Sequence, residues 1–283
     1  MDLDKEVLQP FIRQGLLEDI GQGDHTSIST IPKYATGIAQ LLVKERGVLA
    51  GCAVAIEIFK MVDSQVVIEQ LITDGESIYP GDVVFRVQGS VHAILAAERL
   101  VLNTMQRMSG IATMTSKVVQ LLKGTGTQVL DTRKTTPGMR YLEKMAVKIG
   151  GGTNHRFGLY DAMMIKDNHI DYAGGITLAV SAAHQYLKEK ELTIPIVLEV
   201  RNLAELQEVL IIGGIDRILL DNFSYDQLKE AVILIDGKFK TEASGNITLD
   251  NVLDYAACGV NYVSMGALTH SVKNIDMSLK AIK

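Results

Sequence analysis

The stretch from Asp131 to His169 concentrates chemically capable side chains more densely than any other part of the chain. It holds seven Lys and Arg (Arg133, Lys134, Arg140, Lys144, Lys148, Arg156, Lys166) against four acids (Asp131, Glu143, Asp161, Asp167). It also holds His155 and His169, two of only six histidines. Pro137 suits a helix first turn, Leu142, Met145, Ala146 and Ile149 recur at helical spacing, and Gly150 supplies a stop. Lys144 and Lys148 are therefore expected on a solvated helix face. Arg133, Lys134, His155, Arg156 and Lys166 flank apolar runs or the glycines Gly150-Gly-Gly152, where backbone can approach a ligand closely. Converging Arg, Lys and His recognise carboxylate or phosphate, and Arg can grip a carboxylate through two parallel bonds. The inferred ligand is a small polyanion.

Two acids, Glu199 and Asp221, stand at the ends of later apolar runs. They could form a general acid/base pair, a hard-metal site, or acceptors for ribose hydroxyls. A polyphosphate ligand favours Mg²⁺ plus ribose, because Mg²⁺ is commonly held by one or two carboxylates together with substrate phosphates. Ser244-Gly245-Asn246 and Ser264-Met-Gly266-Ala-Leu268 each follow an apolar run and precede a helical segment, which suits phosphate binding. His155 and His169 lack the spacing and the third ligand of a zinc site.

These residues need elements that bring them together. Six short apolar runs end in them: Gln128–Asp131, Ala162–Lys166, Ile196–Glu199, Arg217–Asp221, Lys240–Ser244 and Asn261–Ser264. The last four lie about one βα unit apart, with helical segments at Leu203–Ile212 and Tyr225–Ile235. Continuous apolar runs alternating with helices predict a parallel sheet buried on both faces. The fold class is α/β, and six such units favour a (β/α) barrel with its functional residues at the C-terminal strand ends. A doubly wound open sheet is the alternative. Ahead of the barrel, residues 1–20 read as a helix. Strand-like runs follow at Ile38–Val43, Gln65–Ile72 and Asp82–Val87, separated by Asp74-Gly75 and Pro80-Gly81. A helical pattern then covers Ala93–Leu122, with a break expected at Ser109-Gly110. The predicted domains are 1–105, a smaller α/β unit, and 106–271, the barrel. The tail from about 272 to 283 is a candidate to return to the first.

With 283 residues, 47% hydrophobic and 22% charged, the chain has globular rather than disordered composition. Its net charge of −5 argues against a broad basic face for nucleic acid, though not against a local basic pocket. Cys52 and Cys258 cannot build a disulfide framework and suit a reducing compartment. The acidic N-terminus does not read as a signal peptide, and no apolar run approaches the ~20 residues of a membrane helix. A soluble, cytoplasmic protein without membrane partners is expected.

The motifs together resemble the quinolinate phosphoribosyltransferases, also called nicotinate-nucleotide pyrophosphorylases (carboxylating). The matching pieces run nearly end to end. They include Gly23-Asp-His-Thr-Ser27, Lys44-Glu-Arg-Gly47, Asp74-Gly-Glu76 and Ala97-Glu-Arg-Leu-Val-Leu-Asn103. The core motifs are Asp131-Thr-Arg-Lys-Thr-Thr-Pro-Gly138, Gly150-Gly-Gly-Thr-Asn-His-Arg156 and Ile165-Lys-Asp-Asn-His169. Leu220-Asp-Asn-Phe223, Glu242-Ala-Ser-Gly245 and Ser264-Met-Gly-Ala-Leu-Thr269 complete the set. The resemblance implies an N-terminal α/β sandwich and an incomplete (β/α) barrel. It implies phosphoribosyl transfer from phosphoribosyl pyrophosphate (PRPP) to quinolinate, with loss of CO₂ and pyrophosphate, giving nicotinate mononucleotide for NAD biosynthesis. It assigns Arg133, Lys134, His155, Arg156 and Lys166 to a basic quinolinate pocket. Arg99 would reach in across the interface of a homodimer or hexamer. Glu199 and Asp221 would serve the ribose and, indirectly, Mg²⁺, with Lys134 beside them in the chemistry. Ser244, Gly245, Asn246, Ser264 and Gly266 would hold the phosphate. One departure stands out. Where the family often carries an acid-rich strand, this chain has Val197-Leu-Glu199-Val-Arg201. Two other readings remain: transfer to nicotinate without decarboxylation, and a non-catalytic anion-binding barrel.

Overall fold

Buried and exposed residues alternate along Thr36–Val43, with Ala39, Leu41 and Val43 on one covered face. A period of two makes this a strand with one face packed and one solvated. The computed structural model, which describes residues 3–282, places it inside an antiparallel sheet. In chain order the first elements are α1 (Lys5–Ile20), α2 (His25–Thr30), β1 (Thr36–Val43), β2 (Gly47–Val48), α3 (Cys52–Val62), β3 (Val67–Gln70), β4 (Ser77–Ile78), β5 (Val83–Ser90) and α4 (Val91–Leu122). There follow β6 (Gln128–Leu130), α5 (Arg140–Ile149), β7 (Met163–Ile165), α6 (Asp167–Ala173), α7 (Ile176–Glu189), β8 (Ile196–Val200) and α8 (Leu203–Ile212). The last are β9 (Arg217–Asp221), α9 (Tyr225–Ile235), β10 (Lys240–Ser244), α10 (Val252–Ala257), β11 (Tyr262–Ser264), α11 (Ala267–His270) and β12 (Met277–Ile282).

These elements form two units. The first takes the chain through Ser116, then Thr135–Gly151 and the segment from Ser271; the second takes Lys117–Lys134 and Gly152–His270. Sequence reading put the boundary at 105/106, so the structure carries the first unit further along α4 and returns α5 to it.

In the first unit the sheet order is β12-β1-β5-β3, and the β1–β12 register runs from Ile38↔Ile282 to Val43↔Met277. Two acidic motif positions act as helix caps here. Asp24 Oδ1 accepts from the Ser27 amide at 3.0 Å to start α2, and Asp74 Oδ1 accepts from the Cys52 amide at 2.9 Å to start α3. The expected break at Ser109-Gly110 is absent, because α4 runs unbroken. Gly110 is small for a packing reason: a Cβ there would lie 2.4 Å from the Lys273 carbonyl oxygen. Ser109 Oγ accepts from the Ala50 amide at 3.0 Å and donates to the Ala50 carbonyl at 3.2 Å.

Helix α5 also departs from expectation. It begins at Arg140, so Pro137 lies in the turn before it. Residues 142–147 are all buried, Lys144 among them at 1% exposure, while Lys148 is exposed. The helix is enclosed round most of its circumference, which removes the solvated face expected at Lys144. Glu143 is likewise buried and paired with Arg107, whose Nε donates to Oε1 at 2.7 Å.

The second unit is built on a six-stranded parallel sheet of order β6-β11-β10-β9-β8-β7. Consecutive strands β7 to β11 sit side by side, with no reversal of strand order of the kind a doubly wound sheet has. The end strands β6 and β7 do not pair with each other, so this is an incomplete (β/α) barrel. Ile196–Val200 is buried at every position, as are Ile218, Leu219, Leu220, Ala243 and Val263. Each large apolar side chain there contributes roughly 1.5–3 kcal/mol of burial free energy. No helix among the described residues is long and apolar enough to cross a membrane.

Replacing Gly110 by Ala should lower Tm, with a cost of about 1–3 kcal/mol from overpacking that outweighs the better helix propensity of Ala. Thermal unfolding followed by circular dichroism checks this; an unchanged or higher Tm would mean that α4 and the Lys273 backbone separate without cost.

Candidate active site

Parallel register sets the chemistry of the barrel rim. Ser244 pairs with Asp221 across β10–β9, Ile165 with Leu198 across β7–β8, and Ser264 with Leu130 across β11–β6. The residues that leave these strands at their C-terminal ends therefore share one face. Around it lies a cavity of about 830 Å³, within the range of ligand pockets and roomy enough for two reactants. Arg133, Lys134, His155, Arg156, Lys166, Glu199, Asp221, Ser244, Gly245, Asn246, Ser264 and Gly266 all line it. Of the residues proposed from sequence, only Arg99 does not. It lies exposed on α4 in the first unit and has no hydrogen bond or ion pair among the described residues.

The basic side is pinned by carboxylates. Asp131, fully buried, accepts from the His155 amide at 2.8 Å. Asp161 accepts from the Phe157 and Gly158 amides at 2.6 and 2.7 Å, which fixes the loop carrying Arg156. Arg156 Nη1 donates to the Ala162 carbonyl at 3.3 Å. Burial and the neighbouring Arg133 guanidinium hold Arg156 below the usual arginine value, against a smaller opposing pull from Asp161. Two like charges this close favour an anion between them. Lys134 is tied by its backbone: its carbonyl accepts from Thr269 Oγ1 at 2.8 Å, and its amide donates to Thr132 Oγ1 at 3.0 Å.

The acidic side faces it. Lys166 Nζ stands 3.4 Å from Glu199 Oε2. Burial pushes the Glu199 carboxyl above its ordinary value; Lys166 opposes this and the charge of Asp221 adds to it. Asp221 is held by two donors, Ser244 Oγ at 2.5 Å and Asn222 Nδ2 at 2.7 Å. Beside it, Gly245 has φ +102°, and a Cβ there would fall 2.0 Å from Asn222 Oδ1. Asn222 and Asn246 both adopt left-handed backbone, with φ +55° and +51°. The Ser244-Gly245-Asn246 turn thus wraps tightly onto Asp221, in the kind of backbone concavity that binds phosphate.

Several cavity residues escaped the sequence reading. Glu242 sits inside β10 with no exposure, its Oε2 2.9 Å from Arg217 Nη1 and 3.2 Å from His155 Nε2. Burial raises its carboxyl pKa, but the hydrogen bonds and charges of His155 and Arg217 outweigh that and hold it below the ordinary value. An acid within an otherwise buried strand was the available signal. His270 follows directly on the Ser264–Thr269 motif, and Asn222 adjoins Asp221. Thr132 and Thr248 complete the polar lining. Among the described residues no three of His, Cys, Asp and Glu are grouped to hold a metal ion.

Comparisons with known proteins agree across both units. Residues 24–109 match the family profile "Quinolinate phosphoribosyl transferase, N-terminal domain", and residues 111–280 match that of the C-terminal domain. The chain is 46% identical over 288 residues to quinolinate phosphoribosyltransferase (decarboxylating) 1 of Nicotiana glauca, covering 96% of this chain and 82% of that one. It is 43% identical over 272 residues to the probable nicotinate-nucleotide pyrophosphorylase (carboxylating) of Bacillus subtilis, covering 96% and 92%. Among solved structures it is similar to NadC of Streptococcus pyogenes, with TM-score 0.93, 37% identity and full coverage of both chains.

The raised Glu199 pKa has a signed consequence. Between the ordinary glutamate value and its own, the folded protein binds more protons at this site than the unfolded chain, so rising pH lowers stability. Glu199→Gln should therefore have a Tm at or above wild type at neutral pH, with the gap shrinking as pH falls from neutral to the ordinary glutamate value and staying constant below it. Calorimetry across that range checks this, and a gap that grows towards acid would contradict it.

Proposed function

The chain belongs to the quinolinate phosphoribosyltransferase family, and from that membership we propose how its barrel residues divide the reaction. The activity is phosphoribosyl transfer from PRPP to quinolinate with decarboxylation, a step of NAD biosynthesis. The observation that carries the residue assignment is the meeting, on one barrel rim, of the Arg133–Arg156 pair, the Glu199 and Asp221 carboxylates and the Ser244-Gly245-Asn246 turn.

Quinolinate is a dianion, and Arg133, Arg156 and Lys166 receive it, relieving the repulsion between the two guanidiniums. Lys134 stands beside them as a further cation for the reacting groups. The Ser244–Asn246 turn and the Ser264 and Gly266 loop hold the phosphate of PRPP and so fix its ribose. The pyridine nitrogen attacks the anomeric carbon as pyrophosphate departs, through an oxocarbenium-like state. Glu199 and Asp221 flank that developing positive charge and accept from the ribose hydroxyls. The quaternised ring nitrogen then draws in the electron pair released when the adjacent carboxylate leaves as CO₂, and a proton takes its place on the carbon. No protein nucleophile is needed; positioning and fixed charge carry the catalysis.

Glu199 and Asp221 fit a Mg²⁺ that arrives with pyrophosphate, since one or two carboxylates plus substrate phosphates is a usual coordination for that ion. When bound, the ion neutralises charge on the leaving pyrophosphate. Exposed and unpaired, Arg99 suits a role in a neighbouring copy's site within a homodimer or larger homo-oligomer. Cys52 and Cys258 are buried free thiols, in keeping with a reducing, cytoplasmic setting.

Arg133→Ala should lower kcat/KM for quinolinate by at least about a hundredfold, the scale of two lost charge-assisted hydrogen bonds, with the fold retained. Turnover close to wild type would remove Arg133 from the site. Mixing inactive Arg99→Ala and Arg133→Ala proteins should restore activity through hybrid sites; no recovery after demonstrated subunit exchange would count against a shared site.

A further inference from the structure

We propose that Glu242 is a positioning residue that holds the His155 ring with its proton on Nε2, leaving Nδ1 to accept from the Arg156 amide and so orienting Arg156 toward the substrate carboxylate. The proposal rests on the reading of this cavity as the quinolinate site.

Two contacts bear on the ring. The Arg156 backbone nitrogen lies 2.6 Å from His155 Nδ1 and donates to it. A backbone N–H can only donate, so Nδ1 must carry a lone pair. A histidine with a bare Nδ1 keeps its single proton on Nε2, and Nε2 lies 3.2 Å from Glu242 Oε2, a buried charge contact rather than an aligned hydrogen bond. His155 thus meets the basic pocket through the Arg156 amide. Asp131 holds the same residue from the other side, through the His155 amide. Glu242 is in turn anchored by Arg217, whose guanidinium stacks over the Tyr262 ring 4.5 Å from its centroid.

A purely structural role explains Glu242 poorly. Glu242 is fully buried in β10, and its Oε1 has no hydrogen bond among the described residues. Burying an ionised carboxylate with half its acceptor capacity unmatched is costly, and a well-packed apolar side chain would hold the strand more cheaply. What the carboxylate adds is a fixed acceptor two residues below the rim, aimed at the ring beside the Arg133–Arg156 pair.

The test combines a spectrum with kinetics. Ring-nitrogen NMR of histidine-labelled wild-type protein, with His155 identified by its loss in His155→Asn, should show the Nε2–H tautomer. An Nδ1–H or doubly protonated ring would overturn the proposal, whatever any variant does. In Glu242→Gln, KM for quinolinate should rise about tenfold or more, the scale of one hydrogen bond to a charged group. KM for PRPP should stay unchanged, and kcat should fall less than the quinolinate KM rises. Glu242→Asp should recover part of the quinolinate affinity. A folded Glu242→Gln with wild-type quinolinate KM, or with equal losses for both substrates, would also overturn it. If Glu242→Gln does not fold, the wild-type tautomer and Glu242→Asp decide. The spectrum needs no substrate, so a wild-type protein inert towards quinolinate would sink the reading of the site and leave the tautomer result standing on its own.

Discussion

Arg133 and Arg156 repel each other, and the barrel spends buried carboxylates to keep them together. Asp131 holds the His155 amide, Asp161 holds the Phe157 and Gly158 amides, and Glu242 faces the His155 ring. Three acids thus immobilise one short loop so that its arginine stands beside another. Such preorganised charge costs stability in the free protein. Flexible surface lysines would give the same net charge without the same field, because they would relax away from each other.

The opposite rim follows the same logic with the signs reversed. Glu199 is buried, close to Lys166 and near Asp221, and its carboxyl is pushed above the ordinary range. Asp221 is satisfied by Ser244 and Asn222, and the left-handed turn at Gly245-Asn246 folds against it. The Ser244–Asn246 turn and Asp221 are therefore one mechanical unit: any movement of Ser244 moves a hydrogen-bond donor of Asp221, through a single 2.5 Å hydrogen bond.

Most of this was legible in the sequence because a parallel barrel writes its function at strand ends. Continuous apolar runs such as Ile196–Leu198 and Ile218–Leu220 announce buried strands, and the polar residue after each falls on the rim. Misreadings arose where tertiary packing overrode local pattern. Gly110 looked like a helix break and is a close-approach point against the Lys273 backbone. Lys144 looked solvated and is enclosed, because residues 142–147 of α5 are buried round most of the helix rather than on one face. Glu242 was hidden inside a strand that was read only for its end.

A net charge of −5 is a poor guide to the barrel cavity, because Arg133, Lys134, Arg156 and Lys166 are gathered in its lining. The central claim is that this rim joins a pyridine dicarboxylate to a phosphoribosyl group and lets the ring nitrogen drive off its neighbouring carboxylate. The direct measurement uses quinolinate labelled in the carboxylate beside the ring nitrogen, with PRPP and Mg²⁺ and purified protein. One labelled CO₂ should appear for each pyrophosphate and each mononucleotide formed. Pyrophosphate release without labelled CO₂, or turnover of nicotinate in place of quinolinate, would contradict the account.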